Sequence, residues 1–418
     1  MTKNRISYVL LALLLAAAIC QGGGFRPPMN YPVNPSPTSI VKGDFNGDGN
    51  LDLVVTGCGD DQCTTTGAVI VLLGQGNGKF VRGGQFVAGP PNTTADALAS
   101  GDFNGDGTPD LVVVNNGVNQ FGTISILLGD GQGGFLAPVS YSVGGSTPVW
   151  PVVADFNGDG ILDIAVSVTT TNSVAVLLGN GDGTFGPAVN YDVGSSPQGI
   201  AVADVNQDGI PDIISADECG DDPNCRAGTV SVLLGRGDGS FEPRMTFAEG
   251  LFPLSVAVAD FNRDGHPDLV IANPCGTDVN CVSPGSVGIM LGNGDGTFQP
   301  VVNYPSTGFG TARVSVGNFN GDIGEDVVAL NVQGSDITVL LGRGDGTLYP
   351  GFDYVVGLTP RSVVIGQFNQ DAAPDLAIAD QNSNQVSVLL NTDQADLRPA
   401  AKDRKYASEV LGCPNKSH

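Results

Sequence analysis

The chain has 418 residues, of which 61 are glycine and 27 are proline, and this turn-rich composition disfavours long helices. Its 18 basic and 43 acidic residues give a formal net charge of −25, while hydrophobic residues make up 41%. A chain with this much negative charge repels phosphate backbones and anionic membrane surfaces. Nucleic acid is therefore not an expected partner. The apolar content is sufficient for a large core.

The N-terminus has the order of a secretory signal peptide. Lys3 and Arg5 precede an apolar run over residues 8–19, and small residues follow. The run is shorter than the roughly 20 residues that span a bilayer. We therefore expect a signal peptide over residues 1–22, no membrane span, and a mature protein that is secreted, periplasmic or at the cell surface. Lipidation of Cys20 is the less favoured alternative, because a large residue precedes it.

One two-part phrase recurs seven times along the chain. Its head is Asp-Phe-Asn-Gly-Asp-Gly-x-x-Asp, and its tail is Leu-Leu-Gly-x-Gly-x-Gly-x-Phe. The heads begin at Asp44, Asp102, Asp155, Asp204 and Asp260, with eroded copies at Asn318 and Gln367. Short runs of β-branched residues lie between the phrases, and no stretch before residue 392 has helical periodicity. Each repeat is therefore expected to supply about four strands.

Seven antiparallel four-stranded sheets at this period predict an all-β protein, a seven-bladed β-propeller over residues 23–391. An open solenoid is the alternative, but the terminal repeats show no polar caps. The seventh repeat lacks its last strand, whereas residues 24–31 copy residues 184–191, which begin the last strand of the third repeat. We expect this N-terminal strand to complete the seventh blade and close the ring. Residues 392–418 form a polar, peripheral tail.

Six of the eight cysteines form three local pairs inside insertions of three repeats. The pairs are Cys58 with Cys63, Cys219 with Cys225, and Cys275 with Cys281. Their spacing is too long for a metal-binding CxxC knuckle and the chain has only two histidines, so we expect disulfides, in keeping with export. Cys20 and Cys413 remain at the two ends, and they could pair only if the signal is cleaved before Cys20.

The head phrase places oxygen atoms at alternate positions, most clearly in the third copy. Asp155, Asn157 and Asp159 at positions 1, 3 and 5, the carbonyl of Ile161 at position 7, and Asp163 at position 9 could surround one ion. Hard oxygen ligands without Cys or His favour Ca²⁺ over zinc or copper. An EF-hand would need Glu at position 12, which no copy has. The alternative is an Asx turn that holds a hairpin without metal.

These heads, placed in seven blades, resemble the FG-GAP or VCBS repeats of integrin α-subunit propellers and many secreted bacterial proteins. The resemblance covers about residues 24–391 and implies about five Ca²⁺ sites, with ligands at the same five positions. Besides the Asp155 loop, the implied ligands are Asp44, Asn46, Asp48, Asn50 and Asp52; Asp102, Asn104, Asp106, Thr108 and Asp110; Asp204, Asn206, Asp208, Ile210 and Asp212; and Asp260, Asn262, Asp264, His266 and Asp268.

The last two heads depart from this pattern. They lack the first carboxylate and the glycine at position 6, so we expect weak or empty sites there. The residues concerned are Asn318, Asn320, Asp322 and Asp326, and Gln367, Asn369, Asp371 and Asp375.

Loops on the face opposite the heads vary between repeats, and Trp150 lies among them. Loops on a rigid scaffold often carry recognition, so we expect a secreted calcium-binding module for binding or adhesion to an extracellular protein or glycan. Trp150 could stack on a sugar or simply pack within the ring. With no repeated histidine and no Ser/His/Asp constellation, we expect no enzymatic activity. The alternative is a calcium-dependent polysaccharide lyase or hydrolase, for which the evidence would be a non-repeated charged cluster in one pocket.

Overall fold

A computed structural model describes residues 24–60, 66–117, 122–222, 224–276, 278 and 281–392. Within these ranges the chain forms 28 strands in seven antiparallel sheets of four, and two 3₁₀ turns at Thr169–Thr171 and Gln381–Ser383. The predicted all-β architecture with four strands per repeat is confirmed. The expected signal peptide, the C-terminal tail, Cys20, Cys63 and Cys413 lie outside the described residues.

We number the blades in chain order and list each from its inner strand outward. Blade 1 contains β2 (Ile40–Gly43), β3 (Asp52–Cys58), β4 (Gly67–Gly74) and β5 (Phe80–Val87). Blade 2 contains β6 (Thr93–Gly101), β7 (Asp110–Gly117), β8 (Thr123–Leu127) and β9 (Val139–Ser142). Blade 3 contains β10 (Pro148–Ala154), β11 (Asp163–Val168), β12 (Ser173–Leu177) and β13 (Val189–Asp192). Blade 4 contains β14 (Ser195–Ala203), β15 (Asp212–Gly220), β16 (Gly228–Leu233) and β17 (Met245–Gly250).

The remaining blades follow the same order. Blade 5 contains β18 (Ser255–Ala259), β19 (Asp268–Asn273), β20 (Ser286–Met290) and β21 (Val302–Pro305). Blade 6 contains β22 (Thr311–Gly317), β23 (Asp326–Asn331), β24 (Asp336–Leu340) and β25 (Phe352–Val355). Blade 7 contains β26 (Pro360–Gly366), β27 (Asp375–Asp380), β28 (Gln385–Leu389) and, as its outer strand, β1 (Met29–Pro32).

The N-terminal strand closes the ring as predicted. Strand β1 pairs antiparallel with β28, Met29 opposite Val388, and the amide of Thr392 donates to the carbonyl of Gly24 at 2.8 Å. Inner strands of neighbouring blades touch all the way round, with β2 of blade 1 against both β6 and β26. Blade 7 therefore takes its strands from both ends of the described chain.

The core lies between blades. Because neighbouring blades cover both faces of each middle strand, β11 and β23 are buried along their whole length and are mostly apolar. Leu53 and Ile70 of blade 1, for example, pack with Ala377 and Val388 of blade 7. Burying each such aliphatic side chain contributes roughly 1.5–3 kcal/mol, so adjacent blades stabilise one another.

The head of each repeat contacts the tail of the next repeat. The ring of Phe45 in head 1 packs edge-on against Phe135 in tail 2 at 5.7 Å, and the amide of Gly133 in that tail donates to the Phe45 carbonyl at 2.9 Å. Phe103 and Phe185 repeat the contact at 5.4 Å. Head and tail recur together because each blade docks on its neighbour through this pair.

The alternation of strand direction separates two faces. The heads join the first and second strands of each blade and the tail turns join the third and fourth, so both lie on one face, here the head face. The loops between second and third strands lie on the opposite face, and two of them carry the disulfides Cys219–Cys225 and Cys275–Cys281. These two predicted disulfides are confirmed, while the pairing predicted for Cys58 involves a residue outside the described ranges. Nowhere in the described ranges does a helix have the length and apolar character needed to cross a membrane.

Candidate metal loops and an axial pocket

Each intact head folds into nested turns around its carboxylates. In the third copy, Asp155 accepts hydrogen bonds from the backbone amides of Asp159 at 3.2 Å and Gly160 at 2.8 Å. Asn157 accepts from the Asp159 amide at 3.0 Å, and Asp159 accepts from the Ile161 amide at 2.8 Å. Gly160 has a φ of 81°, which explains the glycine at position 6. The side chains of positions 1 and 3 thus converge on the amide of position 5, whose own side chain accepts from the amide of position 7.

The five intact heads share this geometry, whereas the two eroded heads do not. In the intact copies the position-1 carboxylate accepts from the amide at position 6. In the sixth copy position 6 is Ile323, which is 67% exposed. The side-chain amide of Asn318, at position 1, donates a hydrogen bond to the backbone carbonyl of Asp322. A neutral donor therefore stands where the other loops carry a carboxylate, which supports the expectation of weaker ion binding at this loop.

The aspartate at position 9 has a second, structural role in all seven heads. Asp163 is fully buried, and it accepts from the amides of Phe156 at 2.9 Å and Gly179 at 2.8 Å. It thereby ties the head to the tail turn of its own blade. The other aspartates with the same pair of bonds are Asp52, Asp110, Asp212, Asp268, Asp326 and Asp375.

The carboxylates within one head repel each other. Burial, together with the charges of Asp48 and Asp44, raises the pKa of Asp52 to about 6 against the hydrogen bonds that lower it. Burial likewise raises the pKa of Asp326 to about 7. In contrast, the hydrogen bond from the Asn50 amide lowers the pKa of Asp48. Each intact loop therefore holds concentrated negative charge that a divalent cation would relieve.

The donor set of the intact heads fits calcium. It consists of carboxylate, amide and backbone carbonyl oxygens, which are the ligands Ca²⁺ prefers. Over the described ranges no three His, Cys, Asp and Glu side chains cluster as a metal site. A calcium ion here would thus rely on the amide at position 3 and the carbonyl at position 7 as well as on carboxylates, because position 9 is engaged with backbone amides.

A second candidate site lies at the ring axis, on the face opposite the heads. It is a pocket of about 250 Å³ lined mainly by the residues five and six places before each head, which we call the axial rung. The axial rung consists of Thr38 and Ser39, Asp96 and Ala97, Val149 and Trp150, Gln198 and Gly199, Leu254 and Ser255, Ala312 and Arg313, and Arg361 and Ser362. Ten of these fourteen residues line the pocket.

Local backbone irregularities aim the axial rung into the pocket. The pairing register between first and second strands shifts at this level in five of the seven blades. Asp96, Trp150 and Arg361 lie within or beside these shifts. An extra residue in one strand bends it and redirects its side chain, and such bulges are frequent next to active sites.

The pocket brings together two cations and one anion from different blades. The Arg313 guanidinium lies 4.3 Å from the centre of the Trp150 ring and donates to the Leu254 carbonyl at 2.7 Å. Arg361 donates to the Gln381 side chain at 2.7 Å. Burial, together with the nearby charge of Arg361, lowers the pKa of Arg313 to about 10.

Asp96 is the acidic member of this group. It accepts from the Asn116 side chain at 2.7 Å, and its charge raises the pKa of Arg361, which burial otherwise lowers. The side-chain oxygen of Asn116 is buried and has no hydrogen-bond partner. The described residues form ion pairs at Arg236–Glu242 and Arg244–Asp221, and neither pair belongs to the pocket.

Trp150 packs within the ring, which is one of the two roles considered from the sequence. It is half-buried and packs against the cores on either side of blade 3, and it also lines the pocket. The sequence reasoning missed Arg313, Arg361 and Asp96, although one signal could have found them. When the seven heads are aligned, the first place of the axial rung holds a different residue in every repeat: Thr, Asp, Val, Gln, Leu, Ala and Arg.

The sequence profile of the FG-GAP-like repeat matches residues 44–113, 102–166, 155–215 and 219–271, together more than half of the chain. No curated protein matches the chain.

Several solved structures share the fold at low sequence identity. A candidate 6-phosphogluconolactonase from Bacteroides fragilis is 14% identical, with a TM-score of 0.59 over 86% of this chain and 94% of that chain. The periplasmic gluconolactonase of Pseudomonas aeruginosa is 16% identical, with a TM-score of 0.51 over 77% and 86%. A functionally unknown protein from Desulfotomaculum acetoxidans is 12% identical, with a TM-score of 0.52 over 82% and 89%. At these identities the likeness shows the fold alone.

These structures correct one expectation. We expected no enzymatic activity because no catalytic constellation recurs among the repeats. However, two similar propellers are named as lactonases. The non-repeated charged cluster that the sequence did not reveal is also present, at Asp96, Arg313 and Arg361. A site assembled once from several blades leaves no repeated signature, so the reasoning that excluded an enzyme was wrong.

Proposed function

Because this chain belongs to the FG-GAP-like repeat family, we propose that it is an exported, calcium-binding propeller whose axial pocket binds an extracellular ligand. The observation that carries the proposal is the contrast between the two faces. The head face repeats nearly the same loop in five blades, whereas the axial rung places different side chains in every blade. The repeated head loops would stabilise the scaffold, and the side chains that differ between blades would recognise the ligand.

Calcium in this proposal is part of the scaffold. Five heads would each hold one ion through the side chains of positions 1, 3 and 5 and the carbonyl of position 7, and the ion would neutralise the repelling carboxylates. Since each head also contacts the next tail, ion binding would stabilise the docking between blades. The two eroded heads, which begin at Asn318 and Gln367, would bind calcium weakly or not at all.

A hydrolase that acts at the same pocket is the second candidate. The arrangement that favours it is the pairing of Asp96 with two guanidinium groups, because a carboxylate can take a proton from water while arginines stabilise a developing oxyanion. The two similar propellers named as lactonases are consistent with this chemistry on such a scaffold.

A binding screen with a matched variant tests both candidates. The calcium-loaded protein would be screened against glycans, sugar lactones and extracellular proteins, with and without a chelator, and every bound compound would then be assayed for turnover. We expect binding that depends on the pocket and weakens on chelation. An Asp96→Asn variant that binds a compound but no longer converts it would establish the hydrolase. Binding unaffected both by pocket substitutions and by chelation would contradict the proposal.

A further inference from the structure

We infer that the axial pocket takes a small, singly charged organic acid with several hydroxyl groups, that is, a sugar acid. This inference rests on the proposed function, since it names the ligand class of the same pocket. Its basis is the set of side chains that the bulged axial rung directs to the axis: Arg313, Arg361, Asp96, Gln198 and Trp150.

The charge of the pocket favours an anion. Arg313 and Arg361 come from blades 6 and 7 and lie close enough that the charge of Arg361 lowers the pKa of Arg313, yet neither forms an ion pair within the described residues. Each guanidinium has five N–H donors, and the hydrogen bonds present occupy one nitrogen of each. The remaining donors match the two oxygens of a carboxylate, which guanidinium groups bind with strong charge-assisted bonds.

One negative charge fits better than two. The two arginines and Asp96 leave the pocket with a net charge of about +1, which a carboxylate balances. A phosphate ester carries nearly two negative charges at neutral pH, so it would bring an excess charge toward Asp96.

Hydroxyl groups suit the rest of the lining. Asp96 and the side-chain oxygen of Asn116 can accept hydrogen bonds, and the latter has no partner. Gln198 and Gln381 add amide groups, and Trp150, with Arg313 over its ring, also lines the pocket. The volume of about 250 Å³ is smaller than the roughly 300 to 1,000 Å³ of sites for drug-sized ligands, so it suits a single sugar unit.

Trp150 provides a direct assay because it is the one tryptophan of the chain. Calcium-loaded protein would be titrated with D-galacturonate and D-gluconate while tryptophan fluorescence is followed. D-Galactose, which matches galacturonate without the carboxylate, and D-galactose 6-phosphate serve as comparison ligands. We expect a saturable change with a sugar acid, and little or none with D-galactose.

Two matched variants assign the binding to the pocket. Arg361→Gln changes a side chain that remains partly open to solvent and should weaken sugar-acid binding roughly tenfold or more, the effect typical of losing a charge-assisted bond. Arg343→Gln removes the same charge from a tail turn on the head face, where Arg343 stacks on Tyr349, and should leave the affinity unchanged. Both variants should melt near the wild-type temperature.

Three results would overturn the inference. They are equal binding of D-galactose, tighter binding of D-galactose 6-phosphate than of either acid, or no response of Trp150 to the sugar acids. Equal binding of D-galactose would leave the proposed function standing, because the pocket would still bind a ligand. The proposed function itself fails only if the wider screen finds no ligand whose binding depends on the pocket.

Discussion

Glu249 should make the stability of the protein fall as the pH rises from about 4.5 to about 7. Its side chain is 1% exposed, and Asn273 donates to one carboxylate oxygen at 2.7 Å. The other oxygen and the Asn273 side-chain oxygen are both buried without partners. A proton on Glu249 turns one of these two acceptors into a donor, which is why the neutral acid fits this position.

The magnitude follows from the pKa. Burial raises the pKa of Glu249 from 4.5 to about 7, and each pKa unit corresponds to about 1.4 kcal/mol, so the full effect is about 3 kcal/mol. Below about pH 4.5 both folded and unfolded states carry the neutral acid. Between that pH and about 7 only the unfolded state loses its proton, so the free energy of unfolding decreases. Above about pH 7 the folded state buries the charge and the loss is complete.

The test is Glu249→Gln, a neutral side chain of the same shape. Urea unfolding at pH 5 and pH 8 in constant calcium should show the variant more stable than wild type by up to about 3 kcal/mol at pH 8, and by less than about 1 kcal/mol at pH 5. Glu242→Gln is the matched control, since Glu242 is exposed and Arg236 lowers its pKa, so any change should be small and opposite in sign. A variant that is less stable than wild type at both pH values would refute the reasoning.

Three further predictions concern the ring and its heads. Deleting residues 25–33 should lower the melting temperature by roughly 10 °C or more, because it exposes the edge of blade 7, and unchanged melting would contradict the closed ring. Asp163→Ala should cost about 2–4 kcal/mol even in a chelator, since two backbone amides lose their acceptor. Asp159→Ala loses only exposed bonds, such as that from the Ile161 amide, so it should cost less than about 1.5 kcal/mol in a chelator and more when calcium is present. Equal losses of the two variants in a chelator would refute this division. Calorimetric titration should find about five tight Ca²⁺ sites. A titration that finds just one or two bound ions would contradict this prediction.

Repetition decided which features were predictable from the sequence. The propeller and the head loops could be predicted because their sequence motifs recur several times along the chain. The closing strand could be predicted because residues 24–31 resemble a strand of another repeat. The second role of Asp163 was not predictable, because its partner Gly179 belongs to a different phrase of the repeat. The expected disulfides at Cys219 and Cys275 followed from short local spacings.

The axial pocket escaped prediction for a physical reason. Trp150 lies in blade 3 and Arg313 in blade 6, and only closure of the ring brings them to 4.3 Å across the axis. No residue pattern marks the bulges that redirect the axial rung. The burial of Glu249 was equally hidden, because it depends on the packing of blade 4 against Asn273 of blade 5.

The pairing of β1 with β28 in blade 7 also determines how the molecule responds to mechanical force. Because β1 and β28 run antiparallel and Gly24 lies beside Thr392, the two ends of the described chain leave the ring at the same point. Tension applied between them would load one hydrogen bond at a time, beginning with the bond between Thr392 and Gly24. A pull on the ends would therefore unzip the ring at low force, whereas a pull between two other blades would have to shear whole strands at once.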